Sequence, residues 1–170
     1  MSFNKKFSNW TPWKLRNSIP NIDFPGVYII AITSKRISDK KFDWIKEIKY
    51  VGMTNSITGL KGRLKSFDDT ILGKRNSHGG ADRVRYKYQD YDKLVKKTYV
   101  SVVYFECDVK SILPKDLNVM GDVVKFEYEC WAKFSEHFNL LPEFNDKKGS
   151  PKYSHTIERK NKFPSYYDKK

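Results

Sequence analysis

The chain has 170 residues, 39% of them hydrophobic and 15% aromatic, and carries 33 Lys and Arg against 20 Asp and Glu, a formal charge of +13. This length suits one domain with a real core and is too short for two ordinary domains. Such a charge opposes compaction and serves to attract a polyanion, nucleic acid first and an anionic membrane second. With no run of about 18 apolar residues and no signal-peptide pattern, a membrane partner is not expected and the expected location is the cytoplasm.

Residues 1–22 are polar and basic, with Trp10 and Trp13 as the strong anchors, and read as an N-terminal arm that docks on the domain or on nucleic acid. Gly26–Ile32 (GVYIIAI) is a short β-branched apolar run and reads as a buried strand. A polar insertion over 33–46 holds Trp44, and 48–52 (IKYVG) is a second strand, so the two form a hairpin with a long connection. Leu60, Leu64 and Phe67 fall at helical spacing and predict a helix over 58–68. Residues 68–82 read as a loop and 83–97, basic and aromatic, as a short helix. The stretch 98–107 (TYVSVVYFEC) is the third strand, and 110–119 is a polar insert. The main C-terminal helix runs from Asp122, its N-cap, to about His137. From Asp146 the chain has eight basic and three acidic residues. The sum is an α+β domain: a three-stranded antiparallel sheet flanked by helices, with insertions and basic terminal extensions. Its parts are an arm over 1–22, the domain over 23–148 and a tail over 149–170.

Cys107 and Cys130 read as reduced, buried thiols. The histidines His78, His137 and His155 are scattered, and no CxxC or HxxxH spacing occurs, which argues against structural zinc.

Gly26-Val27-Tyr28 and Tyr50-Val51-Gly52 resemble the paired signatures that name the GIY-YIG nucleases. The segment from Leu60 to Phe67, with Arg63, is similar to the helix that follows the second signature in that family. Pro142-Glu143-Phe144-Asn145 is similar to its closing P-x-aromatic-N. The resemblance spans residues 24–147. It implies a metal-dependent hydrolase of the DNA backbone, with Mg²⁺ as the cofactor and Mn²⁺ as a substitute.

Phosphodiester hydrolysis needs an activated water, a group that holds the pentavalent charge, and stabilisation of the leaving oxygen. The resemblance makes one signature tyrosine the general base. We favour Tyr28, with Tyr50 positioning it, although the sequence leaves the choice open. A free tyrosine, with a pKa of ~10, needs nearby cations to serve as a base at neutral pH. Arg63 offers a planar fork of donors that matches a phosphate. Lys61, two positions away, points elsewhere and reads as a backbone contact. Met53 stands where some repair-type members carry a Lys, which speaks against a lysine-assisted mechanism here.

Glu127 and Glu129 cannot share one helix face. The face of Glu127 holds Val123, Val124, Cys130, Trp131 and Phe134, whereas that of Glu129 holds Lys125, Phe126, Ala132 and Lys133. The resemblance puts the metal-binding Glu on the packed face, hence Glu127. A carboxylate there is costly unless paired or coordinated, and a lone carboxylate suits a largely hydrated Mg²⁺. Asn145 matches the terminal Asn of the family, and equally reads as a helix-exit turn residue. His78 is a candidate for touching the scissile phosphate or assisting the base.

No room remains for a separate DNA-binding domain, so the insertions would read the target, as in the stand-alone type II restriction endonucleases of the family. Arg83, Arg85 and Lys87 alternate with Val84, Tyr86 and Tyr88 and offer a basic edge to double-stranded DNA, or else form a solvated helix face. The expected function is a site-specific restriction-type endonuclease, with a homodimer favoured for cutting both strands. The alternatives are a low-specificity phage- or repair-type nicking enzyme and a catalytically silent DNA-binding module.

Overall fold

The computed structural model describes residues 5–155. The sheet has four antiparallel strands: β1 (Thr11–Pro12), β2 (Gly26–Ile32), β3 (Ile48–Thr54) and β4 (Thr98–Tyr104), in the order β1-β4-β2-β3. Four helices join them: α1 (Gly59–Leu72), α2 (Gly79–Lys87), α3 (Tyr91–Val95) and α4 (Pro114–Phe138). The α+β class stands as expected. The unbroken apolar run of β2 has its physical cause here. Every β2 residue is buried, because the strand is flanked by β3 and β4 and covered on both faces.

One face carries Tyr28, Ile30, Val100 and Val102 against Leu60, Leu64 and Phe67 of α1 and Ala81 and Val84 of α2. The other carries Val27, Ile29, Ala31 and Val51 against Val123, Phe126, Cys130 and Phe134 of α4. Two apolar layers thus grip one sheet, and β3 is left as its free edge. Among the described residues no helix is long and apolar enough to cross a membrane.

Several expectations are corrected. The sheet has four strands, not three, because the arm supplies the fourth: Thr11 pairs with Val100 and Pro12 with Tyr99. Pro12 lacks an N–H and is tolerated because this strand is an edge. The arm is packed into the core, with Trp10 and Trp13 fully buried. The Trp13 indole donates to Asp68 at 2.7 Å, and Arg16 pairs with the same carboxylate at 2.9 Å.

Helix α1 runs on to Leu72 and stops at left-handed Gly73, so the expected loop over 68–82 shrinks. Helix α2 starts at Gly79 because the His78 side chain accepts the Ala81 N–H as its cap. Helix α4 starts at Pro114, not Asp122, since proline presets the first turn and has no N–H to waste there. Asp122 is an exposed mid-helix residue. Both cysteines are free, Cys130 buried and Cys107 partly so.

The tail begins docked on α2. Arg83 donates to the Ser150 carbonyl, Ser154 donates to Asp82, and Arg85 lies over the Tyr153 ring at 4.1 Å. The rest of the expected basic tail, 156–170, and the His155 side chain lie outside the described residues.

Candidate active site

The hairpin of β2 and β3 sets Tyr28 opposite Gly52 and Ile30 opposite Tyr50, so both signature tyrosines face α1 and α2. Their rings lie 6.0 Å apart. Gly52 makes this possible: a Cβ there would stand 2.5 Å from the Tyr28 hydroxyl and 2.7 Å from Tyr50 Cε1. Gly80 does the same from the other side, where a Cβ would stand 2.3 Å from Tyr50 Cε2. Gly52 of the second motif and Gly80 of α2 thus leave the space that the tyrosine rings occupy.

His78 closes the cluster. Its Nδ1 accepts the Ala81 N–H at 3.1 Å, so in the neutral ring the proton sits on Nε2, which donates to the Tyr28 hydroxyl at 2.5 Å. Burial, and next the Arg63 charge, pushes the imidazole down to about 3, so the ring is neutral at physiological pH. Tyr28 is in turn hydrogen-bonded to Tyr50, and Arg63 donates to both hydroxyls. Burial raises both phenols, Tyr28 the more strongly. Arg63 lowers Tyr50, whereas the Glu127 charge raises it.

A cleft of about 340 Å³ opens at the free β3 edge, lined by Tyr50, Arg63, Glu127 and Asn145, among others. Tyr28 does not line it and is 0% exposed. Of the two signature tyrosines it is thus Tyr50 that lines the cleft, with Tyr28 buried. Besides Arg63, the cleft is lined by Arg83, Lys147 and Lys152, four cations to one carboxylate. Gly79 and Gly80, the N-terminus of α2, also open onto it and add the positive end of a helix dipole. The Arg63 Nε and Trp131 Nε1 are buried and have no hydrogen-bond partner among the described residues. These unpaired donors, with the cations, form a lining suited to an oxyanion.

Glu127 reaches this cleft from α4, on the opposite face of the sheet, because β3 ends the sheet and leaves its backbone open. Three successive outward-facing positions of that edge are each taken. The Lys49 carbonyl accepts the Phe144 N–H at 2.9 Å. Val51 exchanges two hydrogen bonds with the Asn145 amide, each 2.8 Å. The Met53 N–H is bonded to Glu127. Asn145 therefore acts as one residue of a missing strand, and its role is to fix the β3 edge from which Tyr50 and Glu127 are hung. Replacing it with Ala should leave the Val51 N–H and C=O unpaired, at a cost of about 2 kcal/mol. The melting temperature should fall by roughly 4–8 °C, as calorimetry would read; an unchanged melting temperature would remove Asn145 from this role.

Burial raises the Glu127 carboxyl to about 7, and Arg63 offsets that only in part. Glu129 instead sits 3.8 Å from Lys125 on the neighbouring face. Among the described residues no group of three or more His, Cys, Asp and Glu could hold a metal on its own. A half-buried carboxylate whose charge is under-compensated fits one ion that keeps most of its waters and takes its other oxygens from a substrate, the habit of Mg²⁺.

Comparisons with protein-family models, with curated proteins and with solved structures found no match.

The remaining candidates fall outside the cleft. Lys61 is exposed, 3.9 Å from Asp23. Arg85 covers Tyr153 and Gly73, and Lys87 pairs with Glu143. Of that basic edge only Arg83 lines the cleft: Arg85, two residues on, points about half a turn away, and Lys87, one turn on from Arg83, is held by Glu143. Trp131, Lys147 and Lys152 were not singled out from the sequence. The two lysines follow Asn145 closely, and the docking of the tail on α2 brings them back to the site.

Proposed function

We propose that this protein is a metal-dependent endonuclease of the GIY-YIG type that hydrolyses the backbone of double-stranded DNA. The observation that carries the reading is the convergence, at one cationic cleft, of Tyr50, Arg63 and an under-compensated Glu127, drawn from a strand and from helices on both faces of the sheet. Tyr50, as a phenolate, takes the proton of the attacking water. Burial and next the Glu127 charge oppose that form, while the Arg63 charge and the hydrogen bonds with Tyr28 and Arg63 favour it, so the base role requires the Glu127 charge to be cancelled. Tyr28, held by His78, positions and polarises Tyr50. Arg63 and the α2 N-terminus bear the charge that builds on the phosphoryl oxygens, in a site where fixed donors need no reorganisation. A divalent cation on Glu127 would stabilise the leaving oxygen and cancel the carboxylate charge that raises Tyr50.

The restriction-type reading within this chemistry rests on the insertion over 33–46 and on the exposed lysines of the arm, Lys5, Lys6 and Lys14, which offer surface for reading a sequence. Cutting both strands with one site per chain calls for two chains. Cleaved unmethylated plasmid should give ends that map, by run-off sequencing, to one short sequence on both strands. Scattered single-strand nicks would move the assignment to the nicking class.

A further inference from the structure

Helix α4 presents a second face that is left exposed among the described residues. Leu113, Leu117, Val124 and Tyr128 are 53, 51, 43 and 60% exposed, and with Met120 they follow one another at steps of three and four along about 20 Å of helix. Ile112, 86% exposed, extends the stripe at its start. Single exposed apolar residues need no explanation, but a continuous stripe of them marks a docking surface.

Charge decides against nucleic acid as its occupant. In a chain of net charge +13, α4 carries three Lys and five Asp and Glu, so this helix repels a polyanion. It also lacks the positive charge that would drive two copies of so basic a chain apart.

Shape decides for a second copy. When the helix is laid antiparallel on itself about a point between Met120 and Gly121, Leu113 comes opposite Tyr128, Leu117 opposite Val124, and Met120 opposite Gly121. Large residues meet smaller ones, and the longest central side chain falls on a glycine. Gly121 has open space around it, with nothing within 4 Å of where a Cβ would stand. A self-complementary stripe of this kind is what a two-fold interface requires. We infer that two copies of this chain pair through the Leu113–Tyr128 stripe of α4, antiparallel, with the two-fold axis between Met120 and Gly121.

In such a dimer the neighbouring Glu127 of each copy stands beside the interface, so the two clefts are held in a fixed relation. The pairing does not depend on the chemistry proposed for the cleft, and its test reads mass rather than cleavage. Sedimentation equilibrium over the micromolar range should give a dimer for the wild-type chain. Leu117→Glu and Val124→Glu, both exposed in one copy, should each weaken association at least tenfold with an unchanged circular dichroism spectrum. The double variant Leu117→Cys/Val124→Cys should oxidise to a covalent dimer. Leu117→Cys alone should not, since the two copies of position 117 are then offset by about 10 Å along the helices. A wild-type monomer throughout the range, a dimer indifferent to both glutamates, or equal cross-linking by the single cysteine would each overturn the proposal.

Discussion

Tyr50→Phe should lower the single-turnover rate of DNA cleavage by about 10³-fold, while Tyr28→Phe should lower it by only about 10-fold and destabilise the fold. General-base catalysis is worth roughly 10²–10⁴-fold, and of the two tyrosines Tyr50 lines the cleft. Phenylalanine at 50 keeps the ring against Gly80 and Phe67 and removes only the oxygen. Phenylalanine at 28 leaves the buried His78 Nε2–H with no acceptor and removes one of the hydrogen-bond partners of Tyr50. The cost of that unpaired donor is about 1–3 kcal/mol, visible as a lower melting temperature. Equal rate losses for the two variants, or a larger one for Tyr28→Phe, would return the base role to Tyr28.

Glu127 should make the metal-free protein less stable as pH rises, and a divalent cation should reverse this. Its carboxyl sits at about 7 in the folded chain, mainly through burial, against 4.5 for the free group. Between those values the folded state holds more protons than the unfolded one, so stability falls with pH through that window. The melting temperature in EDTA should drop from pH 5 to pH 8 in the wild type, and drop less in Glu127→Gln. Adding Mg²⁺ at pH 8 should raise it in the wild type alone, because the ion binds the ionised folded carboxylate. Below about pH 7 protons compete for the same oxygen, so a given effect should need more Mg²⁺. The same rise in Glu127→Gln would place the ion elsewhere.

How much of this was legible in the sequence depended on which interactions leave a periodic mark. Paired strands and helix faces do. Tyr28 and Tyr50 were set on neighbouring strands because two apolar runs had to pair, and the face of Glu127 read as the packed one because a helix buries one side, which together with the resemblance singled out Glu127 over Glu129. Interactions with backbone leave no such mark. The exchange between Asn145 and Val51, the capping of α2 by His78 and the bond from the Met53 N–H to Glu127 all rest on main-chain groups. The roles of the two tyrosines depend on burial by α1 and α2, which two triplets in a sequence do not express. The basic-aromatic run over 83–88 was also ambiguous for a physical reason. Alternation suggests an edge, but the segment is helical, and its three cations go to the cleft, to Tyr153 and to Glu143.

The most direct measurement is cleavage of unmethylated phage and plasmid DNA by the wild-type chain in Mg²⁺, in EDTA, and by Glu127→Gln in Mg²⁺. The account predicts discrete fragments in the first reaction and none in the other two, with DNA binding by Glu127→Gln retained. Intact DNA in all three, across metals and salt concentrations, would contradict it and leave a DNA-binding module, and cleavage surviving in Glu127→Gln would remove Glu127 from the metal site.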